Sequence, residues 1–425
     1  MNKFTLSIAT IALLSTAAVA DISSKNFGGE AKLFYGTNDA ADGDMFNKAQ
    51  SYGNVGVHLG GAAAVGSCAT CTTLNYGVTG ISTMGLEGTL VSNTWAGQSV
   101  TGSRTAKKLL GGADINDGVW IDTLNLAFHP LDGITNTTLV LGRQALDTPL
   151  VFTEKWNIAE NTYDAAVAVN NDIVDTTLVG AWVGRSNGQD VVDQLNNKNN
   201  FAVGGLVHSD GISDNGFNRF LTDEGAYAFG AVTKLIPTVT AQAWYYVAPS
   251  VANLAWLQAD TEFMGFNLGG QYVYTDPAAD GSETGGAYAA KLGYSYEGLG
   301  LSVAYSDTDE DLMTASNLGG TQSKLYTEAW WDYSHVAQPD TQTVTVAAEY
   351  DVPEIAALGL YYTNADHGSD TNNDFQEITL TAGKDLGNLN LTLAYVNSDL
   401  DGDKDSAGND VDATNDIQVY ATYKF

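Results

Sequence analysis

With 425 residues, 18 Lys+Arg against 50 Asp+Glu and a net charge of -32, the chain is strongly acidic, and nucleic acid is disfavoured as a partner because a polyanion would be repelled. Its 46 Gly, 21 Tyr, 14 Phe and 8 Trp, with 7 Pro, 2 Cys and a mean hydropathy of -0.10, suit strands with aromatic girdles. No Pro-rich or Ser-rich linker divides the chain, so one domain is expected after the leader.

Residues 1–20, MNKFTLSIATIALLSTAAVA, carry Lys3, an apolar stretch from Leu6 to Leu14, and the small residues Ala18 and Ala20 ahead of Asp21. They read as a secretory signal peptide cut after Ala20, which leaves residues 21–425 as the mature barrel domain in an oxidising compartment. The apolar stretch is too short for a spanning helix, and every later apolar run is broken by Gly, Asn, Asp or Thr within a few residues.

Past Asp21 the first alternating segments are EAKLFYG, YGNVGVHLGG and YGVTGISTMGLEG. The only thiols, Cys68 and Cys71, fall between the second and third, in a connection that this parsing makes unusually long. A redox C-x-x-C needs a helix start to lower the attacking thiol's pKa, and GSCATCTT has no helix signals. The pair therefore reads as a structural disulfide. No further ligands at similar spacing would complete a zinc site, so no metal is expected.

VWIDTLNLAFHP, TTLVLGRQAL, DAAVAVNN and TTLVGAWVGR continue the alternation. Residues 186–224 hold one more such stretch, NFAVGGLVHS. Counting it as a wall strand would put every later long connection on the side of the short turns, so the segment is read as one external loop.

From residue 225 onward eleven segments alternate, from AYAFGAVTKL to the final IQVYATYKF. Each runs roughly 8 to 12 residues, near the 9 to 11 of a tilted membrane strand. In GFNLGGQYVYT, Phe266, Leu268, Tyr272 and Tyr274 share one face, and Asn267, Gly269, Gln271 and Val273 the other. Short turns (LIPT, EFMG, EGLG, DVPE, DLGN) take turns with longer acidic loops, the pattern of a membrane barrel. The expected fold is all-β: a transmembrane antiparallel β-barrel of about 18 strands, with short periplasmic turns and long acidic external loops. At that size side chains no longer fill the lumen. A plugged 22-stranded transporter is not expected, since the first strand starts within about ten residues of the cleavage site. The last strand should pair with the first, placing Phe425 in the aromatic girdle at the periplasmic rim.

The segment 139–187, LVLGRQALDTPLVFTEKWNIAENTYDAAVAVNNDIVDTTLVGAWVGRSN, resembles OprD-type porins and the related major outer-membrane porins of Gram-negative bacteria. Gly142, Gln144, Thr148 and Pro149 match the G-x-Q…T-P segment that ends a strand in that family. Asn161, Thr162, Tyr163, Asp164, Ala165 and Ala166 stand where the next strand begins, with Glu160 in place of the family's Pro. The resemblance implies an inward loop at residues 147–163, with Asp147, Glu154, Lys155 and Glu160, flanked by Arg143 and Asp164, as candidate constriction residues. It further implies a homotrimer in the outer membrane. The terminal Phe after alternating apolar residues is similar to the C-terminal signal of outer-membrane barrels, which implies handling by the barrel-assembly machinery.

Most of the excess carboxylates fall in the proposed external loops. Carboxylates near the mouth act on permeating ions within a Debye length of about 8 Å, so cation preference is expected. Lipopolysaccharide with divalent counter-ions is the other partner such a surface would meet. DLDGDKDSAGND, from Asp399, has three carboxylates at EF-hand spacing but Lys404 where that loop needs Gly. His58, His129, His208, His335 and His367 are scattered without a nucleophile setting, and no H-E-x-x-H or phosphate-binding Gly loop occurs. Neither an enzyme nor a cofactor is expected. The function expected is a water-filled channel for small hydrophilic solutes and cations, with a selective channel or a non-conducting adhesin barrel as alternatives.

Overall fold

The computed structural model describes residues 27–39, 44–47, 50–65, 72–82, 118–155, 158–187, 217–333, 335–368, 374–401 and 413–425. Among them nineteen strands form one antiparallel sheet. The first nine are β1 (Phe27–Asn38), β2 (Ser51–Val65), β3 (Thr72–Ser82), β4 (Gly118–Phe128), β5 (Thr137–Gln144), β6 (Tyr163–Asn170), β7 (Thr176–Ser186), β8 (Asn218–Arg219) and β9 (Ala226–Thr233). The next five are β10 (Val239–Ala248), β11 (Ala252–Phe263), β12 (Phe266–Pro277), β13 (Gly285–Tyr296) and β14 (Leu299–Thr308). The last five are β15 (Thr341–Val352), β16 (Ala356–His367), β17 (Phe375–Leu386), β18 (Leu389–Leu400) and β19 (Thr414–Lys424).

Eighteen of these strands make the wall. β8 is a two-residue pairing on the end of β7, and β7 pairs past it with β9 from Thr176↔Thr233 to Val183↔Ala226. Residues 187–225 are therefore one connection between neighbouring wall strands. The alternating stretch at 200–209 lies outside the described residues.

The sheet closes where β1 pairs with β19, from Glu30↔Lys424 to Asn38↔Asp416. Hydrocarbon offers no partner to an open edge, so closure satisfies backbone groups that would each cost several kcal/mol. Phe425 completes the seam: its N–H donates to Gly29 O at 3.0 Å, and Gly29 N–H donates to Phe425 O at 2.9 Å. Its exposed ring stacks on Tyr423, with centroids 6.1 Å apart.

Burial is inverted relative to a soluble sandwich. Phe266, Leu268 and Tyr272 are about half exposed on the outer face of β12, while Asn267, Gln271 and Val273 are buried on its inner face. Exposed rings gather towards both ends of the wall: Phe263, Tyr296, Tyr350 and Tyr423 at the short-turn end, Tyr227, Tyr245 and Tyr288 towards the other. Such paired girdles mark the two interfaces of a lipid-facing band. No helix among the described residues is long and apolar enough to cross a membrane.

The tight turns follow from backbone chemistry. Met264–Gly265 and Glu297–Gly298 both have two positive φ values, at 50° and 84° and at 44° and 85°. That is the type I′ conformation, whose twist matches the strands it joins. The connection that carries Cys68 and Cys71 is shorter than the sequence parsing suggested, because β2 runs on to Val65 and β3 starts at Thr72. Both Cys lie in 66–71, outside the described residues, as do residues 402–412 of the Asp-rich segment.

The apolar core is off-centre. Leu146, Leu150 and Val151 from residues 145–162 and Leu312, Leu318 and Leu325 from residues 309–340 pack inside the barrel against β6–β14, where Trp244, Tyr246 and Trp256 are buried. The two loops fill part of the interior, and a cavity lined from β7 to β19 runs beside them.

Candidate functional site: two inward loops across the barrel

Residues 145–162 enter the barrel as a small hairpin. Thr148 N–H donates to Val151 O at 3.0 Å and Thr153 N–H to Leu146 O at 2.8 Å, with Asp147 and Phe152 bridged between them. Pro149 sits at the second turn position, where its fixed φ favours the bend. The tip reaches β10, where Leu150 N–H donates to Tyr246 Oη at 3.2 Å.

A buried polar cluster ties this hairpin to residues 309–340. Asn317 Nδ2 donates to Phe152 O at 2.8 Å and to Glu154 Oε1 at 3.1 Å. The same Glu154 oxygen accepts Thr321 N–H at 2.7 Å and Gln322 N–H at 2.9 Å. Asn161 Nδ2 donates to Gly319 O at 2.9 Å, and Tyr163 Oη to Phe152 O at 2.7 Å. Asn161, Tyr163, Glu154 and Asn317 are at most 1% exposed. Buried polar groups stay only where partnered, so the cluster fixes both loops as one unit. Gly319 and Gly320 allow the approach: a Cβ on either would collide with Tyr163 or with the Glu154 carboxylate.

The wall holds the second loop as well. Gln271 on β12 donates to Lys324 O at 2.8 Å and accepts Tyr326 N–H at 3.0 Å. Glu377 on β17 accepts the N–H groups of Trp330 and Asp332 at 2.9 and 2.7 Å, and that of Trp331 at 3.1 Å. Trp331 stacks on Phe34 of β1 at 5.9 Å.

Beside the loops runs a cavity of about 1260 Å³, lined at the short-turn end by Asp175, Lys234 and Thr422 and at the loops by Asp147, Lys155 and Tyr326. Its charged lining is mixed: Lys155, Lys234, Lys291 and Lys324 against Asp147, Asp175, Asp260, Glu328 and Glu349. Lys324 Nζ lies 2.5 Å from Asp147 Oδ1, donates to Thr148 O at 3.1 Å and sits 4.4 Å above the Phe152 ring. Burial pulls the Lys324 ammonium below its ordinary range, while Asp147 draws it back up. Tyr326 Oη donates to Asp260 at 2.6 Å with Lys291 4.3 Å over its ring, and burial together with that bond pushes its hydroxyl well up.

The six sequence-derived candidates fall in four places. Asp147 and Lys155 line the cavity. Glu154 is buried in the cluster between the loops, and Glu160 pairs with Lys32 of β1 at 3.3 Å, where Lys32 also donates to Lys155 O at 3.2 Å. Arg143 and Asp164 are cross-strand partners in the register that pairs Leu141 with Ala166, and Arg143 opposes Leu124 of β4. Leu124 and Leu141 are exposed on the outer face, so the Arg143–Asp164 ion pair, at 2.8 Å, lies on that face and away from the cavity lining. A one-residue register places every second side chain on the same face, and these two residues follow their apolar neighbours outward.

Sequence reasoning did not single out Lys291, Asp260, Glu349 or Lys324. The first three carried a signal: an ionisable residue inside a membrane strand faces the interior. Lys324 lies in a loop that pattern alone does not orient. Among the described residues no group of His, Cys, Asp and Glu could hold a metal ion.

No protein-family profile and no curated protein sequence matches this chain. Solved structures match it over nearly its full length. The outer membrane protein OpdK of Pseudomonas aeruginosa is 10% identical, with 94% of this chain and 98% of that one covered and a TM-score of 0.68. OccK9 (OpdG) of the same organism is 13% identical over 96% of this chain and all of its own, with a TM-score of 0.67. OccAB2 of Acinetobacter baumannii is 16% identical over 94% and 98%, with a TM-score of 0.65. At such identities the likeness is one of fold, and it is the OprD-type barrel fold that residues 139–187 resemble.

Proposed function

We propose, on the premise of an OprD-type barrel, that this chain is an outer-membrane channel through which small hydrophilic solutes and ions diffuse passively. The supporting observation is the cavity of about 1260 Å³ that runs from the short-turn end to the two cross-tied loops and is lined by Lys, Asp, Glu and Gln side chains. A polar, charged surface inside a closed apolar-faced wall has no packing role and suits water and solutes. Asp147, Lys155 and Lys324 form the constriction in this reading.

The lumen lining is close to balanced, so cation preference rests on the acidic external loops and is modest. Opposed charges at a narrow point orient a dipolar solute more than they sort ions by sign. That mixed lining also favours a second reading, a channel selective for particular solutes. The mature chain begins at Asp21, sits in the outer membrane as a homotrimer with its long loops facing lipopolysaccharide, and is inserted by the barrel-assembly machinery.

The test is planar-bilayer recording of the refolded protein under a tenfold KCl gradient. Stepwise conductance with a small cation-directed reversal potential is the expected result. Stable insertion without current would overturn the channel and leave a structural or adhesin barrel; an anion-directed potential would keep the channel and discard the loop electrostatics.

A further inference from the structure

The inner wall from β16 to β19 differs from the rest of the lumen. Tyr361 on β16 and Tyr420 on β19 point inward, and between them the wall carries only small residues facing in: Thr381 and Gly383 on β17 and Thr392 on β18. Trp330, from the second inward loop, spans this gap, with its ring centroid 6.4 Å from that of Tyr361 and 6.3 Å from that of Tyr420. The result is a shallow trough with an aromatic rim and a floor of hydroxyl groups and glycine.

Trp330 is held in place from behind. The buried carboxylate of Glu377 accepts three successive backbone N–H groups, of residues 330, 331 and 332, so the indole is positioned without its own side chain being used. Interactions set up before a ligand arrives spare the cost of ordering them on binding. Tyr361 Oη donates to Glu349 Oε1 at 2.7 Å, and among the described residues Glu349 has no basic partner. Its second oxygen remains an acceptor at the trough edge.

We propose that the trough is a binding site for a neutral sugar, a pyranose ring lying with its apolar C–H face on Trp330 and its hydroxyl groups directed to Glu349 and Thr392. The inference rests on the channel reading, which it deepens by naming a solute class. Aromatic rings supply flat apolar area with little conformational freedom to lose, which suits the C–H face of a sugar. A carboxylate and hydroxyl groups supply what its rim of hydroxyls needs. An ammonium solute would be drawn to Glu349 and the rings as well, but it has no use for the hydroxyl floor between Tyr361 and Tyr420.

The experiment is a titration of refolded full-length protein with glucose and with maltose, read as block of ion current and, independently, as change in tryptophan fluorescence in detergent. Half-saturation in the millimolar range is expected, raised about tenfold by Trp330→Ala and by Glu349→Gln, a loss of about 1.4 kcal/mol each. Current with no sugar block and no fluorescence change would overturn the site and leave the channel standing. Stronger block by choline than by either sugar would also overturn it, as would sugar block unmoved by both variants. Absence of current would strike the channel reading alone, since the fluorescence titration still decides whether sugar binds.

Discussion

Glu154 accepts a hydrogen bond from Asn317 at 3.1 Å, joining two residues 163 positions apart on different inward loops. The same carboxylate takes Thr321 N–H and Gln322 N–H, so a single buried side chain of the first loop sets the path of the second. The aperture left beside them is thus fixed by one polar cluster and not by the wall alone.

Replacing Glu154 by Ala leaves two backbone N–H groups and one of the two Asn317 amide hydrogens without their acceptor in a largely buried cluster. An expected loss of about 2–4 kcal/mol follows from leaving such buried donors unpaired. The Tm of the detergent-solubilised barrel should fall, and open-channel current noise should rise as the loops fluctuate. Glu154→Gln keeps an acceptor oxygen and should lose less. Equal Tm and noise for both variants and the parent would show that the cluster does not hold the loops.

Lys324 and Asp147 oppose each other at the cavity wall. Lys324→Met leaves Asp147 uncompensated, and the reversal potential should move in the cation direction; Asp147→Asn should move it the other way. A unit charge about 8 Å from a permeating ion contributes about 0.5 kcal/mol in water, roughly a twofold change in permeability ratio. Variants that shift the potential in the same direction would remove this pair from the constriction.

The acidic loops act through salt-screened distance. The Debye length falls from about 10 Å at 0.1 M to about 3 Å at 1 M ionic strength, so a cation preference set by loop carboxylates should largely vanish over that range. A preference unchanged between 0.1 and 1 M KCl would place its source inside the pore.

Wall and site were legible to different degrees. The strand period, the turn residues at Met264–Gly265 and Glu297–Gly298, and the alternation of short and long connections depend on local sequence, and they carried the strand count and the closure at Phe425. Asp147 and Lys155 could be placed on an inward loop through the resemblance. Arg143 and Asp164 lie only a few residues away, yet their strand parity turns them outward, since Leu141 on the same face is exposed. The partner loop, with Lys324 and Trp330, has no period to orient it. Its course depends on contacts with Glu154, Gln271 and Glu377, which come from strands and loops distant in the chain.

Phe425 offers a test of closure itself. Its N–H and C=O both bond to Gly29, and its ring stacks on Tyr423 at the short-turn rim. Deleting it removes two hydrogen bonds from the seam between β1 and β19 and leaves the Gly29 backbone facing the interface, at an expected cost of about 1–3 kcal/mol. Phe425→Ala keeps both backbone bonds and loses only the ring. If closure matters most, the deletion should lower both refolding yield in detergent and the Tm, while Phe425→Ala lowers them little. If the ring serves recognition by the assembly machinery, Phe425→Ala should refold normally in vitro yet accumulate poorly in the outer membrane of cells. Heat-modifiable migration on gels, compared for refolded and cell-derived protein, separates the two roles. Identical behaviour of both variants and the parent in each setting would show that neither the seam bonds nor the terminal ring limits folding.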